Sequence, residues 1–292
     1  MSPSTRSNLR IRHRLGQRIN RILAENPLGM KLNLLRVLVQ RELAARYQGS
    51  VFGNFWSVAH QVTQLVIYTF VFAVVLKVKL NQAALPKAAV MDDTVLFGLW
   101  LFGGLVPWNA MTLSFMGSAT SVVAQPNLVK KVVFPLVLLP LVPIATAFVD
   151  STIGMMLLIV AVAFALKTVN LTLLLLPLVW IPQLLLTAGI GYLLAGLTVF
   201  LRDIPQTVSI AVNLLFYLTP IMYPIETVPE GFRPFMRWNP GGILADLYRD
   251  LILWGQVRHA QEWGVLWVVS SIVFAIGFWV YRRLRPAFAD VL

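Results

Sequence analysis

Residues 133–166 read VFPLVLLPLVPIATAFVDSTIGMMLLIVAVAFAL and contain a single charged side chain, that of Asp150. A helix needs about 20 mostly apolar residues to cross a bilayer while it satisfies its own backbone hydrogen bonds. Working outward from this stretch, we find five more apolar runs separated by short charged breaks. The pattern predicts an integral membrane protein with six spanning helices, at residues 55–76, 94–123, 133–166, 171–201, 204–223 and 263–281.

The composition also indicates that the protein lies in a lipid bilayer. Hydrophobic residues make up 58% of the 292 residues, charged residues make up 12%, and the mean hydropathy is +0.75. Soluble domains carry about 25% charged residues, so a soluble fold is disfavoured. We therefore expect an all-α membrane protein in two parts. Residues 1–50 would form a cytoplasmic amphipathic interface segment, and residues 51–292 a six-helix transmembrane domain.

The net charge of the chain is +12, and its distribution along the sequence agrees with the expected topology. If the N-terminus is cytoplasmic and the chain crosses the membrane six times, the cytoplasmic side carries a net charge of +12 and the remainder a net charge of zero. Lys and Arg are concentrated on the cytoplasmic side of membrane proteins. The distribution therefore predicts that both termini are cytoplasmic. It indicates membrane lipids, and no nucleic acid, as the partner of the basic residues.

Two amphipathic stretches precede the first predicted span. In the first, six arginines before Glu25 alternate with apolar residues, which is typical of a helix lying on an anionic leaflet. In the second, Leu34, Leu35, Leu38, Val39 and Leu43 share one face, and Arg36, Arg41 and Arg46 lie on others. The stretches either anchor the chain or shape an entrance for a phosphate-bearing substrate. The arginine-rich start also fits a mitochondrial transit peptide, but the first apolar run is too long for a cleaved secretory signal.

Motifs of catalysis and nucleotide binding are absent from the sequence. It has no G-x-x-x-x-G-K-[ST], no G-x-S-x-G and no H-E-x-x-H. It has no Cys, and His13, His60 and His259 are not spaced as metal ligands. We expect no catalytic, cofactor or metal site in this chain. Asp150 costs about 3 kcal/mol in hydrocarbon and has no Lys or Arg within a predicted span, so we favour a structural role over proton coupling.

Four groups of short motifs occur in an order and spacing that match a known family. They are Arg41, Glu42, Arg46, Tyr47, Gly53 and Trp56 before and in the first span, residues 127–135 (NLVKKVVFP), Arg202, Asp203 and Ile204, and Asn239, Pro240, Tyr248 and Arg249. The ordered set covers nearly the whole chain. It resembles the membrane subunits of bacterial polysaccharide-exporting ABC transporters, the ABC-2 type permeases, and is nearest to those of O-antigen and teichoic-acid exporters. His60 and Gln61 stand where the family often has Pro, and the N-terminal arm is longer than usual.

The resemblance implies that the break after the second span couples this chain to a separate ATPase subunit. The coupling residues would be Asn127, Leu128, Val129, Lys130, Lys131, Phe134 and Pro135, with a smaller contact at Arg202 and Asp203. ATP and Mg²⁺ would then be bound by the partner subunit. Without the resemblance, the same break is an ordinary basic loop. The candidate residues of the cytoplasmic entrance are Arg41, Arg46, Tyr47 and Trp56.

Aromatic rings offer flat apolar faces to sugar C–H groups. The candidates for lining a channel are Tyr68, Phe72, Phe97, Trp100, Trp108 and Phe115, although an interfacial belt or ordinary packing explains them equally well. Between the fifth and sixth spans, Pro and Gly divide the chain into short pieces. By resemblance these are periplasmic gate helices containing Pro224, Asn239, Pro240, Tyr248 and Arg249, and otherwise they form a loop on the membrane surface.

These observations predict a permease subunit in the bacterial inner membrane. It would form a homodimer with two copies of an ATPase subunit and export an undecaprenyl-linked, O-antigen-like polysaccharide from the cytoplasm to the periplasm. The alternatives within the family are permeases for capsule polysaccharide, teichoic acid, a drug or another lipid. A secondary transporter would need internal repeats and paired intramembrane charges, and a membrane enzyme would need clustered acids or histidines. The sequence has neither pattern.

Overall fold

The computed structural model describes residues 27–46, 53, 55–78, 80, 92–131, 134–167 and 169–292. Within these ranges the chain is helical and contains no β-strand. The amphipathic stretch predicted before Glu25 and the entrance residue Tyr47 lie outside them.

The described residues form eleven α-helices. They are α1 (Pro27–Arg46), α2 (Phe55–Thr69), α3 (Asp93–Thr120), α4 (Pro126–Lys131), α5 (Leu141–Leu166), α6 (Leu176–Thr198), α7 (Ile204–Leu218), α8 (Arg233–Arg237), α9 (Pro240–Arg249), α10 (Ala260–Leu284) and α11 (Phe288–Val291). Single π-helical segments extend α2 over Phe70–Val75 and α9 over Asp250–Trp254. Short 3₁₀ turns lie at Leu136–Leu138, Leu171–Leu175, Ile225–Thr227 and Arg285–Ala287.

Five helical stretches are long and apolar enough to cross a membrane. They are Phe55–Val75, Asp93–Thr120, Leu136–Leu166, Leu171–Thr198 and Ala260–Val291. Helix α7 is apolar but has only 15 residues, or about 22 Å against roughly 30 Å of hydrocarbon. It ends before Pro220, which disfavours a helical residue ahead of it. The predicted helical membrane fold is confirmed, and a full crossing by residues 204–223 stays a prediction.

Helix α3 occupies the centre of the bundle. It packs against α5, α6 and α9, and most of its apolar side chains are buried. A helix that is buried on several faces needs small residues where a bulky neighbour approaches. At Gly104, an added Cβ would lie 2.6 Å from Nη2 of Arg249. This glycine therefore makes room for the arginine that α9 carries into the core.

Helices α6 and α10 make the most extensive helix pair in the described chain. A Cβ added to Gly277 of α10 would lie 1.9 Å from the carbonyl oxygen of Gly189 on α6. Helices in lipid associate largely through close backbone packing, because the surrounding chains are as apolar as their side chains. The two glycines thus fix the crossing point of this pair.

Helix α1 lies against α5. The residues of its predicted apolar face are all half-buried: Leu34, Leu35, Leu38, Val39 and Leu43. Leu28, Leu32 and Val37 on its other faces are exposed by 69%, 57% and 58%. Apolar residues therefore lie on both the packed and the exposed sides of α1.

Two buried tyrosines hold the chain just after α4. The Tyr281 hydroxyl donates to the carbonyl oxygen of Leu136 at 2.7 Å, and the Tyr192 hydroxyl donates to that of Val137 at 3.0 Å. Their ring centroids are 5.2 Å apart. A turn of 3₁₀ helix leaves carbonyls that the continuous α-helix would have paired. The Leu136 carbonyl also accepts from the backbone N–H of Leu139, so the Tyr281 phenol is a second donor there. The two phenols tie this turn to α6 and α10.

We expect Tyr281→Phe and Tyr192→Phe each to lower the free energy of unfolding by about 1 kcal/mol, because each leaves a partly buried carbonyl without its side-chain donor. Thermal unfolding of the purified protein in detergent measures this change. Tyr223→Phe is the matched control, since its hydroxyl makes a 2.7 Å bond to Tyr217 at an exposed position. An equal loss in all three variants would contradict the assignment.

Candidate functional site

The end of the bundle that carries α4, the Arg202 turn and α11 is here called the basic end. In the structure, the break after the second span contains the six-residue helix α4 (Pro126–Lys131). Asn127 and Lys130 are exposed, whereas Leu128, Val129 and Phe134 pack against a buried cluster that includes Tyr192, Tyr281 and Phe288. One side of the helix therefore packs on the bundle, and its polar residues face outward.

The second predicted contact, Arg202 with Asp203, lies at the same end. Both residues are exposed, and the carbonyl oxygen of Asp203 accepts hydrogen bonds from Thr207 at the start of α7. The C-terminal helix α11 contacts α4, and its buried Phe288 lies 6.2 Å from the ring of Phe200. The structure thus brings the two predicted coupling segments to one surface, with the C-terminus between them.

The entrance residue Arg46 contacts Asp150 in an ion pair. Asp150 Oδ1 also accepts from Ser57 Oγ at 3.0 Å, and Gln61 Nε2 donates to the backbone carbonyl of Asp150 at 3.1 Å. Arg46 comes from outside the predicted spans, because α1 folds back onto α5, and the ion pair fits the structural role expected of Asp150. As the one acid in a predicted span, Asp150 indicated that a partner was needed. The sequence did not identify that partner, which lies 104 residues away.

A cavity of about 600 Å³ opens beside this ion pair. It is lined by α1, α2, α3 and α5, and Trp56, half exposed, stands at its wall. Arg41 lines a separate cavity of about 390 Å³ between α1, α3 and α5. Of the four entrance residues, Arg46 and Trp56 therefore share a site and Arg41 faces another.

The predicted gate residues lie at the opposite end of the bundle, here called the far end. Asn239 caps α9, since its Oδ1 accepts from the backbone N–H of Gly241 at 3.0 Å and its Nδ2 donates to Thr219 Oγ1 at 2.9 Å. Pro240 follows as the first helical residue, where a missing N–H costs nothing. Pro224 is buried nearby. Tyr248 is buried, and its hydroxyl donates to Gln183 Oε1 at 2.5 Å.

Arg249 is the most deeply buried cation among the described residues, at 1% exposure. It donates to the carbonyl oxygens of Trp100 at 3.1 Å, Pro220 at 3.2 Å and Ile221 at 2.8 Å. It also pairs with Asp246 at 3.0 Å and stacks on the Trp100 ring at 3.5 Å. Burial lowers the pKa of its guanidinium, and the two neighbouring acids oppose that shift. The arginine therefore ties α9 to α3 and to the chain after α7.

The six candidate channel aromatics divide into two groups. Phe97, Trp100 and Trp108 are buried at 1%, 7% and 9% exposure, where they pack inside this subunit. Tyr68, Phe72 and Phe115 are half-buried and contact the same core. Contact with a sugar stays a prediction for all six, and in this conformation the half-buried group alone is partly open.

A second charged cluster at the far end was not anticipated from the sequence. Oδ2 of the buried Asp250 accepts from the backbone N–H groups of Arg258 and His259 and lies 2.9 Å from His259 Nδ1. Arg237 donates twice to the buried Glu262, at 2.8 and 2.6 Å. The hydrogen bond to Asp250 raises the pKa of His259, although burial opposes the shift. These contacts fasten the start of α10 to α8 and to the segment after α9.

Removing the Arg249 charge should be costly. Arg249→Gln leaves Asp246 without its partner and three carbonyls without their donor, so we expect a loss of about 3–5 kcal/mol in unfolding free energy. Arg233→Gln is the control, because Arg233 also donates to two backbone carbonyls but is exposed by 41%, and it should cost under about 1 kcal/mol. Thermal unfolding in detergent compares the two. Equal losses would mean that burial of Arg249 does not matter.

The His259 contact gives a direction for the dependence of stability on pH. Because the folded-state pKa is raised above its usual 6.5, the contribution is complete below pH 6.5 and is lost as the pH rises through the raised pKa. Melting temperatures of the wild type and of His259→Gln, measured from pH 6 upward, should converge with rising pH. A difference between them that stays constant over this range would rule out the protonated pair.

Comparisons with known proteins agree with the resemblance seen in the motifs. Residues 33–253 match the family model described as ABC-2 type transporter. The chain is 28% identical over 267 residues to an O-antigen export system permease protein RfbA of Klebsiella pneumoniae, with 91% of this chain and 97% of that one covered.

Two further relatives extend the comparison. A protein of the same name from Myxococcus xanthus is 28% identical, with 88% and 94% covered, and the polysialic acid transport protein KpsM of Escherichia coli is 21% identical, with 87% and 94% covered. The family match spans most of the chain and includes α3, α4 and α9. The chain therefore belongs to the ABC-2 type transporter family.

Proposed function

We propose that this chain is the membrane subunit of an exporter that moves a lipid-linked, O-antigen-like polysaccharide from the cytoplasm to the periplasm. The observation that carries the proposal is α4, a short helix with exposed polar residues at the basic end of a chain that belongs to this transporter family. The relatives named as O-antigen permeases match at 28% identity and the polysialic acid protein at 21%. This difference favours an O-antigen-like substrate over a capsule polymer.

ATP hydrolysis takes place in a separate subunit, which would hold ATP and Mg²⁺ and contact the basic end. Asn127 and Lys130 on α4, together with Arg202 and Asp203, offer it exposed polar groups of both signs. Movement of α4 would pass to α6 and α10 through the hydroxyls of Tyr192 and Tyr281. The coupling surface is thus connected to two spanning helices by hydrogen bonds as well as by apolar packing.

Two copies of this chain and two ATPase subunits would complete the exporter. Helix α2 has no buried residue in the central part of its span, and α7 exposes Ile210, Leu214 and Tyr217 by 63%, 60% and 67%. Faces of this kind suit contact with lipid or with a second copy. Tyr68 of α2 lies beside Phe216 of α7. Tyr68 and Phe72, one helical turn apart, are the candidate sugar contacts in a path between two copies.

The proposed orientation places the basic end in the cytoplasm of a bacterial cell and the far end in the periplasm. The net charge of the basic segments supports this orientation through the positive-inside rule. It puts Arg46 and Trp56 on the side where the substrate is made. Helices α8 and α9 would then act as the periplasmic gate.

The coupling assignment is tested with Lys130→Ala/Lys131→Ala, reconstituted with the ATPase subunits in proteoliposomes. We expect ATP hydrolysis to continue while transport of the lipid-linked glycan falls at least about tenfold, since one lost charge-assisted contact of about 1.4 kcal/mol corresponds to that factor. Lys31→Ala, an exposed lysine of α1, is the control.

Two results would contradict the proposal. Transport that proceeds without any ATPase subunit would remove the exporter assignment altogether. Full coupling in the double lysine variant would remove α4 as the contact with the ATPase and leave the assignment of the family intact.

A further inference from the structure

Helix α11 is too short to hold its position by its own hydrogen bonds. It has four residues, Phe288–Val291, and follows the 3₁₀ turn at Arg285–Ala287. Isolated helices shorter than about 12 residues are marginal in water, so their place depends on packing. Phe288 is fully buried, whereas Ala289, Asp290 and Val291 are exposed. The position of α11 on the bundle is therefore set largely by one phenyl ring.

The Phe288 ring packs on the chain that leads into the Arg202 turn. Its centroid lies 6.2 Å from that of Phe200, which precedes Arg202 by two residues. It also lies 5.4 Å from the ring of Tyr281 on α10, edge-on at an interplanar angle of 73°. Edge-on pairs of rings attract each other beyond the area that they bury. The ring thus joins α10 to the second candidate coupling segment.

The same ring supports the first candidate coupling segment, α4. The Tyr281 hydroxyl donates to the carbonyl oxygen of Leu136 at 2.7 Å, five residues after α4 ends. Leu128 and Val129 of α4 pack against the buried cluster that contains Phe288, and α11 contacts α4 itself. Phe288 therefore stands behind both segments at once.

The opposite side of α4 is less well packed. Leu128, together with Gln125 just before the helix, borders the cavity of about 390 Å³ between α1, α3 and α5. Atoms that face a void lose the dispersion contacts that a filled core provides. Helix α4 has six residues, so it cannot fix its own position any better than α11 can. Its position depends on the side that faces the Phe288 cluster.

We propose that Phe288 is a positioning residue, which holds α4 and the Arg202 turn at a fixed separation through its contacts with Tyr281 and Phe200. When two contact points move independently, part of a displacement applied to one is lost as a change in their separation. A fixed separation passes the displacement on to α6 and α10. The inference rests on the proposed function for the role of the two segments, but their separation can be measured without it.

The first test measures that separation. The sequence has no Cys, so Asn127→Cys and Arg202→Cys place two spin labels at exposed positions of the two segments. Double electron–electron resonance is recorded on the full chain in nanodiscs, with labelled chains diluted in unlabelled ones so that distances within one chain are measured. Phe288→Ala should broaden the distance distribution at least about twofold, because it opens a cavity between the segments, and Phe288→Leu should narrow it again by refilling most of that volume.

The second test measures glycan transported per ATP hydrolysed, in proteoliposomes that also contain the ATPase subunits. Phe288→Ala should lower this ratio at least about threefold, and Phe288→Leu should restore most of it, because apolar side chains of similar volume are tolerated best. The control is Phe102→Ala, a matched truncation at a residue of α3 that is 2% exposed and belongs to a separate core cluster. It should lower thermal stability while the ratio and the distance distribution stay as in the wild type.

Packing without positioning predicts that Phe288→Ala and Phe102→Ala lose stability alike and that neither changes the distances or the ratio. That result would overturn the inference, as would a broadened distribution with an unchanged ratio. If Phe288→Ala does not fold, Phe200→Ala decides the question. It removes the opposing ring at a residue that is 40% exposed, and it should broaden the distribution and lower the ratio. An unchanged distribution and ratio in that variant would refute the role of the ring pair.

The two proposals can fail separately. Transport that needs no ATPase subunit contradicts the proposed function and leaves the distance measurement intact. A narrow distribution in Phe288→Ala, in a chain whose transport still requires the ATPase, refutes the positioning role alone.

Discussion

The structure depends on one constraint, that a backbone carbonyl or N–H in hydrocarbon must find a partner inside the protein. Continuous helices meet it by themselves. The chain departs from continuous helix at Leu136–Leu138 and around Pro220, and at both places side chains supply the donors. Tyr192 and Tyr281 serve the first break, and Arg249 serves the second. These three residues thus allow the chain to turn where the family's candidate coupling and gate segments lie.

The two ends of the bundle are stabilised by different chemistry. The basic end relies on neutral phenols and aromatic contacts around Phe288, which leaves its charges free to face outward. The far end buries three charged side chains, those of Arg249, Asp250 and Glu262, which are almost inaccessible. Breaking a buried ion pair is costly, whereas an exposed charge exchanges partners easily. The distribution is consistent with a docking surface at one end and a closed, internally paired seal at the other.

Much of the helical layout could be predicted from hydropathy and charge. The long spans, the buried face of α1 and the exposed break at Asn127 and Lys130 all follow from local sequence pattern. The partner of Asp150 could not be predicted, because it depends on α1 folding back across more than a hundred residues. Trp100 and Trp108 were equally ambiguous, since an aromatic residue in a span suits a channel, a membrane belt or a core. Their burial depends on how α9 packs against α3, and the local sequence pattern does not predict that contact.

The contact between Gly189 and Gly277 has a consequence for any motion of the bundle. Because no side chain separates the two backbones, α6 and α10 cannot slide past each other without losing the contact that joins them. We expect the two helices to tilt together as one rigid body. A displacement of the C-terminal end of α10 would then also move α6, and both helices would carry it to the opposite membrane surface with little bending.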